Sequence, residues 1–195
     1  GHLLDKHGQK MSKSKGNIVN PWDLINKYGV DVVRLYFYTV NPPGEPKKFD
    51  EADLSKTHRR FLALLYNSYV FFATYADKTK FGERFNLDNI LDKWILARLH
   101  ETIAEVTNLL DQYDIGRAAN LLELLVDDLS HWYIRRSRKR SDALPVLGKV
   151  LLKISKLAAP FTPFFAEALY GTVRDFGIKT VDDEGADNSS VHLTN

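Results

Sequence analysis

From Asp50 to about Val173 apolar residues return at helical spacing in segment after segment, with short polar connections between them. The first stripe is Phe61, Leu62, Leu65, Tyr69, Phe72 and Ala76, and the second is Leu91, Ile95, Leu99, Val106, Leu110 and Tyr113. A third runs through Ala118, Leu121, Leu122, Leu125, Leu129, Trp132 and Tyr133, and a fourth through Val146, Leu147, Val150, Leu151, Ile154 and Leu157. Steps of three and four place each set on one helix face, which must be buried. Helices of about 25 residues would run near 37 Å. Four of them with short connections predict an antiparallel bundle with these stripes as its core. Pro160 ends or kinks the fourth, and Thr162-Pro163 starts a continuation through Phe165, Ala168 and Leu169.

The first 49 residues read differently. Asp5-Lys6-His7-Gly8 suits a short hairpin. A helix then starts on Asn20 as N-cap, with Pro21 in the first position, Asp23 in the first turn, a Val19–Leu24 staple, and Gly29 as left-handed cap. Asp31 is a candidate cap for Val32 to Val40, where β-branched content favours a strand and the spacing of Val33, Tyr36, Phe37 and Val40 favours a helix; helix is the reading adopted. Asn41-Pro42-Pro43-Gly44-Glu45-Pro46 breaks the pattern. Asp50 then caps the bundle's first helix, with Asp53 as an imperfect capping-box partner and Phe49–Leu54 as staple. A loop is expected at Lys78 to Asn86, and an acidic one from Gly177 (Asp182, Asp183, Glu184, Asp187) before Val191-His192-Leu193. The divisions are 1–49, 50–176 and 177–195.

Composition narrows the class. In 195 residues, 44% hydrophobic and 27% charged content describe an ordinary globular protein. A formal net charge of +2 leaves any nucleic-acid footprint to local clustering. No cysteine is present, so disulfides and thiolate metal sites are excluded within the chain. Apolar runs fall short of the roughly 20 residues of a membrane span, and no signal peptide is visible. The chain begins Gly1-His2-Leu3-Leu4 and ends Leu193-Thr194-Asn195, which reads as a piece of a longer protein.

Two clusters carry chemistry. Lys10-Met11-Ser12-Lys13-Ser14-Lys15-Gly16-Asn17 gathers three lysines, two serines and a glycine in one loop. Lysines supply point charges and serines hydroxyl donors for phosphate oxygens, while the glycine lets the backbone turn. It is not a Walker loop. The second cluster, Trp132-Tyr133-Ile134-Arg135-Arg136-Ser137-Arg138-Lys139-Arg140, is basic at five of its last six positions. One or two cations would complement a helix C-terminus, but five repel one another. Arginine forks beside aromatic rings suit phosphates and unstacked RNA bases, so RNA contact is favoured over capping, with Trp132 and Tyr133 more as core anchors than stacking platforms. Five phosphate contacts would give a log–log salt slope of about −3.5 to −4.5. Lys56, His58, Arg59 and Arg60 form a second basic patch, either RNA-facing or solvated. No histidine pair has metal-ligand spacing, and Asp127-Asp128 point apart on a helix.

The loop also carries a resemblance. Lys10-Met11-Ser12-Lys13-Ser14 is letter for letter the KMSKS signature of class I aminoacyl-tRNA synthetases. Pro21-Trp22-Asp23, Lys27-Tyr28-Gly29-Val30-Asp31 and Pro42-Pro43-Gly44-Glu45 look like the Ile/Val/Leu branch. Val126 to Arg138 is similar to the anticodon-binding domain of the isoleucyl enzymes, as are Ala159-Pro160-Phe161-Thr162-Pro163-Phe164 and Ser190-Val191-His192-Leu193-Thr194.

The resemblance implies a mainly α chain: the α/β-type KMSKS end of a catalytic domain (1–49), then an antiparallel helical anticodon-binding bundle (50–176) and the start of a further segment (177–195). It implies part of an isoleucine–tRNA ligase, with a valine–tRNA ligase or a standalone RNA-binding or structural bundle as alternatives. Lys13, helped by Lys10, would act on ATP phosphates in catalysis. Lys10, Met11, Ser12, Lys13 and Ser14 would form the ATP loop, and Trp132, Arg135, Arg136, Arg138, Lys139 and Arg140 would face tRNA-Ile. ATP with Mg2+ and isoleucine would be substrates of the parent enzyme, in the cytoplasm, with no metal site in this chain and no membrane. The family's HIGH motif and editing domain are absent, Lys15 replaces a frequent leucine, and the stretch from Arg140 to Leu144 is short.

Overall fold

The computed structural model describes residues 2–42, 44–77, 88–178 and 189–193. The expected loop at Lys78 to Asn86 and the acidic residues Asp182, Asp183, Glu184 and Asp187 lie outside them.

The N-terminal segment closes on a small parallel sheet. β1 (Leu3–Leu4) pairs with β2 (Lys47–Lys48), Leu3 opposite Lys47 and Leu4 opposite Lys48. Parallel strands need a crossover, and α1 (Pro21–Tyr28) and α2 (Val30–Thr39) lie within it. The hairpin after β1 is present in short form: Leu4 bridges antiparallel to Lys10, and Gly8 turns at φ +80°.

Asn20 caps α1 by accepting the Trp22 N–H at 3.1 Å. Gly29 has a positive φ of 86° but an extended ψ of 150°, so it is not the left-handed cap expected. It straightens the chain for one residue between two helices. The segment after it is a helix, as spacing argued over β-branched content, and it begins at Val30. Asp31 is therefore not a cap of its own helix; it lies buried in the first turn.

The bundle opens with a continuous rod of α3 (Glu51–Thr57), a π-helical stretch (His58–Ala63) and α4 (Leu64–Tyr75). Asp50 caps it, accepting the Ala52 N–H at 2.9 Å. No capping box forms: the Asp53 carboxylate pairs with Lys56 at 2.7 Å, and the Asp50 N–H donates to the Tyr36 hydroxyl instead. Next come α5 (Ile90–Asp111) and a second rod of α6 (Ile115–Asp127), a π-helical stretch (Asp128–Ile134) and α7 (Arg135–Ser137). Tyr113 does not extend the stripe of α5. It lies past the helix end at φ +60° and is 83% exposed, and Leu109 fills the core place.

The last helices, α8 (Leu144–Ala158) and α9 (Pro163–Arg174), have 15 and 12 residues, shorter than the apolar pattern implied. α9 buries Ala166, Leu169, Tyr170 and Val173, leaving Ala168 outside the core. α8 crosses α4 so closely that a Cβ on Gly148 would stand 2.9 Å from the Phe72 ring. The fully buried set, including Phe61, Leu65, Phe72, Ile95, Leu122, Leu125, Val150 and Ile154, joins all of these helices in one core. Among the described residues no helix is long and apolar enough to cross a membrane.

α2 is the joint between the two parts. A Cβ on Gly116 of α6 would lie 3.0 Å from the Tyr38 carbonyl, so the two helices touch at backbone level. Arg34 donates to the Pro160 carbonyl at 3.3 Å, and the Tyr38 and Phe161 rings meet edge-on. Asp31 accepts the Phe165 N–H at 2.7 Å. Thr162, at the N-cap position of α9, makes no side-chain cap bond, so a carboxylate from α2 serves the open end of a distant helix.

Candidate functional site

The lysine–serine loop hangs between the hairpin and α1. Lys13–Lys15 form a single 3-10 turn, closed by Gly16 at φ +65°, whose N–H donates to the Lys13 carbonyl at 3.2 Å. The turn displays Lys13, Ser14 and Lys15 to solvent, and Lys10 is also exposed; Met11 and Ser12 are half-buried. None of the three lysines pairs with a carboxylate among the described residues. The Ser12 and Ser14 hydroxyls lie 3.2 Å apart on one side of the turn. Cations and hydroxyls together make a surface for phosphate oxygens, not for a divalent metal ion.

Asn17 holds this loop from below. Its Oδ1 accepts the Ser12 N–H at 3.0 Å, and its Nδ2 donates to Asp5 Oδ2 at 2.9 Å and to the Lys10 carbonyl at 3.4 Å. Asp5 Oδ1 accepts from the His7 and Gln9 N–H groups at 3.0 and 2.8 Å. The Asn17 amide first, and the Gln9 N–H next, hold the Asp5 carboxyl below its ordinary pKa.

The arginine run sits at the other end of the bundle. α6 starts against α2, so Arg135 is about 30 Å further along that rod. Arg135, Arg136, Arg138 and Lys139 are exposed. Arg140 is not. Its guanidinium meets Asp92 of α5 through two bonds of 3.2 and 2.7 Å, and Asp142 at 2.8 Å. Asp92 is fully buried and also accepts from the Tyr133 hydroxyl at 2.8 Å. The bond to Asp92, then that to Asp142, pushes the Arg140 pKa further up, and Arg140 in turn holds the Asp142 carboxyl down. Burial first, then the Asp92 bond, raises the Tyr133 phenol. Arg140 is thus a brace for the turn, because a buried carboxylate requires a cation.

The two aromatic residues beside the run part ways. Tyr133 is buried, as expected, whereas Trp132 is 47% exposed and no core anchor. The π-helical stretch shifts the rod's register here, and adjacent residues on a helix face different ways. Arg136 lies over the Trp132 ring, 3.8 Å from its centroid, and Trp94 of α5 flanks it at 6.4 Å. A guanidinium stacked on an indole, edged by a second indole, offers a flat polarised surface.

Of the second basic patch, Lys56 is paired with Asp53, and Arg59 leans on Ser55 at 3.1 Å. Asp127 and Asp128 point apart, to His131 at 2.8 Å and Arg98 at 3.1 Å. No group of three or more His, Asp or Glu side chains that could hold a metal occurs among the described residues. Sequence reasoning missed Asp92, Trp94 and the Asp5–Asn17 pair. Asp92 reads as an ordinary first-turn carboxylate, and Asn17 was legible only as part of the loop.

Lysines and hydroxyls suited to phosphate oxygens thus stand near one end of the helical bundle, and an arginine–indole turn suited to RNA stands at the other. Residues 92–195 match the anticodon-binding domain of tRNA ligase, and residues 1–50 match tRNA synthetases class I (I, L, M and V). The chain belongs to the class I aminoacyl-tRNA synthetase family. It is 42% identical to the isoleucine–tRNA ligase of Clostridium acetobutylicum over 99% of its own length and 19% of the relative's. With that of Dehalococcoides mccartyi it shares 42% over 100% of its own length and 20% of the relative's. The chain thus spans about a fifth of the curated relatives it matches. The fold is shared with a Mycobacterium tuberculosis methionyl-tRNA synthetase in complex with methionyl-adenylate (TM-score 0.67, 24% identity, 89% of this chain, 36% of that one). It is also shared with the LeuRS–tRNA–LeuAMS complex of Agrobacterium radiobacter (TM-score 0.67, 20% identity, 89% of this chain, 22% of that one).

Proposed function

We propose that the chain is the KMSKS and anticodon-binding part of an isoleucine–tRNA ligase, which activates isoleucine with ATP and transfers it to tRNA-Ile in the cytoplasm. The observation that carries this reading is the likeness, at about 40% identity over the whole chain, to ligases of that name, with both cationic sites in place. Residues 1–49 would be the end of the catalytic domain, 50–176 the anticodon-binding bundle, and 177–195 the start of a further C-terminal segment.

In the activation step the isoleucine carboxylate attacks the α-phosphorus of ATP, the bond to the β-phosphate oxygen breaks, and pyrophosphate leaves. Negative charge grows on the leaving group. Lys13, with Lys10 beside it, meets that charge, and Met11, Ser12 and Ser14 complete the loop that receives the phosphates. A cation placed where charge develops lowers the barrier, and losing one such contact costs about 3–4 kcal/mol. Mg2+ would come with the nucleotide, carried by its phosphate oxygens.

At the far end Arg135, Arg136, Arg138 and Lys139 would meet tRNA phosphates, and Trp132 a base. Arg140 belongs to this surface as the residue that fixes the turn. Binding of the chain to tRNA-Ile across a salt series, with tRNA-Val as competitor, tests the reading. Preference for tRNA-Ile is expected, with a log–log slope that falls by about 1.5 to 2 when Arg135 and Arg136 are both changed to Gln. Equal binding of the two tRNAs would overturn the isoleucine assignment. A slope unmoved by the double change would remove the arginines from the interface.

A further inference from the structure

We infer that Asn17, acting with Asp5, is a positioning residue of the phosphate loop: one carboxamide ties the two ends of the lysine turn together and sets where Lys10 and Lys13 stand. This rests on the ATP-loop reading above and adds to it a residue that touches no phosphate.

Besides Asn17, the loop is held by the contact between the Ser12 and Ser14 hydroxyls at 3.2 Å and by the Met11 N–H, which donates to the Leu3 carbonyl at 3.4 Å. Between Ser12 and Asn17 the chain makes one 3-10 turn, which by itself is a marginal structure. Asn17 Oδ1 takes the Ser12 N–H at the start of that turn, and Nδ2 reaches back to the Lys10 carbonyl. Asp5 anchors the amide from the hairpin side, and its other oxygen is occupied by the His7 and Gln9 N–H groups. The chain of bonds therefore runs from the hairpin through Asp5 and Asn17 into the loop backbone at two points. It also occupies both Asp5 oxygens with N–H donors.

Only an amide does this. Asparagine offers an acceptor and two donors on one short side chain. An aspartate at position 17 would lose both donations and set a second carboxylate against Asp5. Alanine would leave the Ser12 N–H to water and the loop ends untied. A lysine misplaced by about 1 Å can cost on the order of 100-fold in rate.

The test uses the full-length ligase containing this chain, with ATP–pyrophosphate exchange as readout and four variants. Asn17→Ala and Asn17→Asp are each expected to lower kcat by about 10- to 100-fold. The KM for isoleucine should stay within about twofold, and the melting temperature unchanged, because the loop is exposed. The exchanged pair Asp5→Asn with Asn17→Asp restores the bond between the two side chains and keeps the acceptor for the Ser12 N–H, but not the donation to the Lys10 carbonyl, so it should recover part of the activity lost in Asn17→Asp alone. Lys13→Ala separates the two readings. If it collapses exchange while Asn17→Ala stays within twofold of the wild type, the tie is wrong and the ATP-loop reading stands. If Lys13→Ala is itself without effect, the loop reading falls and the tie with it. No recovery at all in the exchanged pair would remove Asp5 from the tie.

Discussion

The two cationic ends of this molecule are built in opposite ways. At the lysine loop the cations are exposed and the residues that hold them, Asn17 and Asp5, are only half-buried, with bonds that span at most 12 residues. At the arginine turn the hold is in the core. Fully buried Asp92 fixes Arg140 and Tyr133 across 48 and 41 residues, and so fastens α7 and its turn to α5. Lysine charges on a lightly tied loop suit a ligand whose charge changes during a reaction. Arginine forks on a braced turn suit a partner whose shape does not.

The largest expected effect breaks the distal end. Asp92→Ala leaves the Arg140 guanidinium without its buried partner and should cost about 3 kcal/mol of stability. Thermal denaturation checks it, and an unchanged melting temperature would place the brace elsewhere. The proximal tie gives the contrast, since its loss should move rate and not stability.

The joint between the ends comes next. Asp31→Ala removes the carboxylate that accepts the Phe165 N–H and should cost about 1–2 kcal/mol in chemical denaturation. Asp31→Asn should cost less. Burial pushes the Asp31 carboxyl up, outweighing the α9 N–H groups, and the amide keeps an acceptor without the desolvated charge.

The smallest effect is a pH dependence at the same joint. Glu123 of α6 lies in a cleft of about 260 Å3 with Tyr36, Thr39 and Arg60, and burial raises its pKa although Arg60 pulls the other way. A carboxyl whose folded pKa is raised contributes stability below its unfolded value and loses it as pH climbs through the folded one. Glu123→Gln should therefore gain on the wild type as pH rises from about 4 towards neutrality. Melting curves at a series of pH values read this, and parallel curves would contradict it.

Much of this was legible in the sequence, and the reason differs by element. Helix starts were clear at Asn20 and Asp50 because capping chemistry is local. The buried stripes were clear because periodicity reports burial, and Tyr133 and Leu125 follow it. The features that the sequence did not show depend on distant partners. Tyr36 takes the N–H that a capping box at Asp50 would have satisfied, and the shifted register near Trp132 turns an expected anchor outward. Arg140 looked like one more basic residue because Asp92 lies 48 positions away. Composition counts charges; only the fold says which are already engaged.

The bond from Phe165 to Asp31 spans 134 residues, which gives it a place in time as well as in space. Helices with local contacts form early, and contacts far apart in sequence close late. During synthesis α9 emerges after α1 to α8, and its first turn arrives with open N–H groups. The carboxylate that accepts one of them stands on α2, which is made before α9. Docking of the last helix is thereby tightened once α2 is in place, and the bond couples the end of the bundle to the segment that carries the lysine loop.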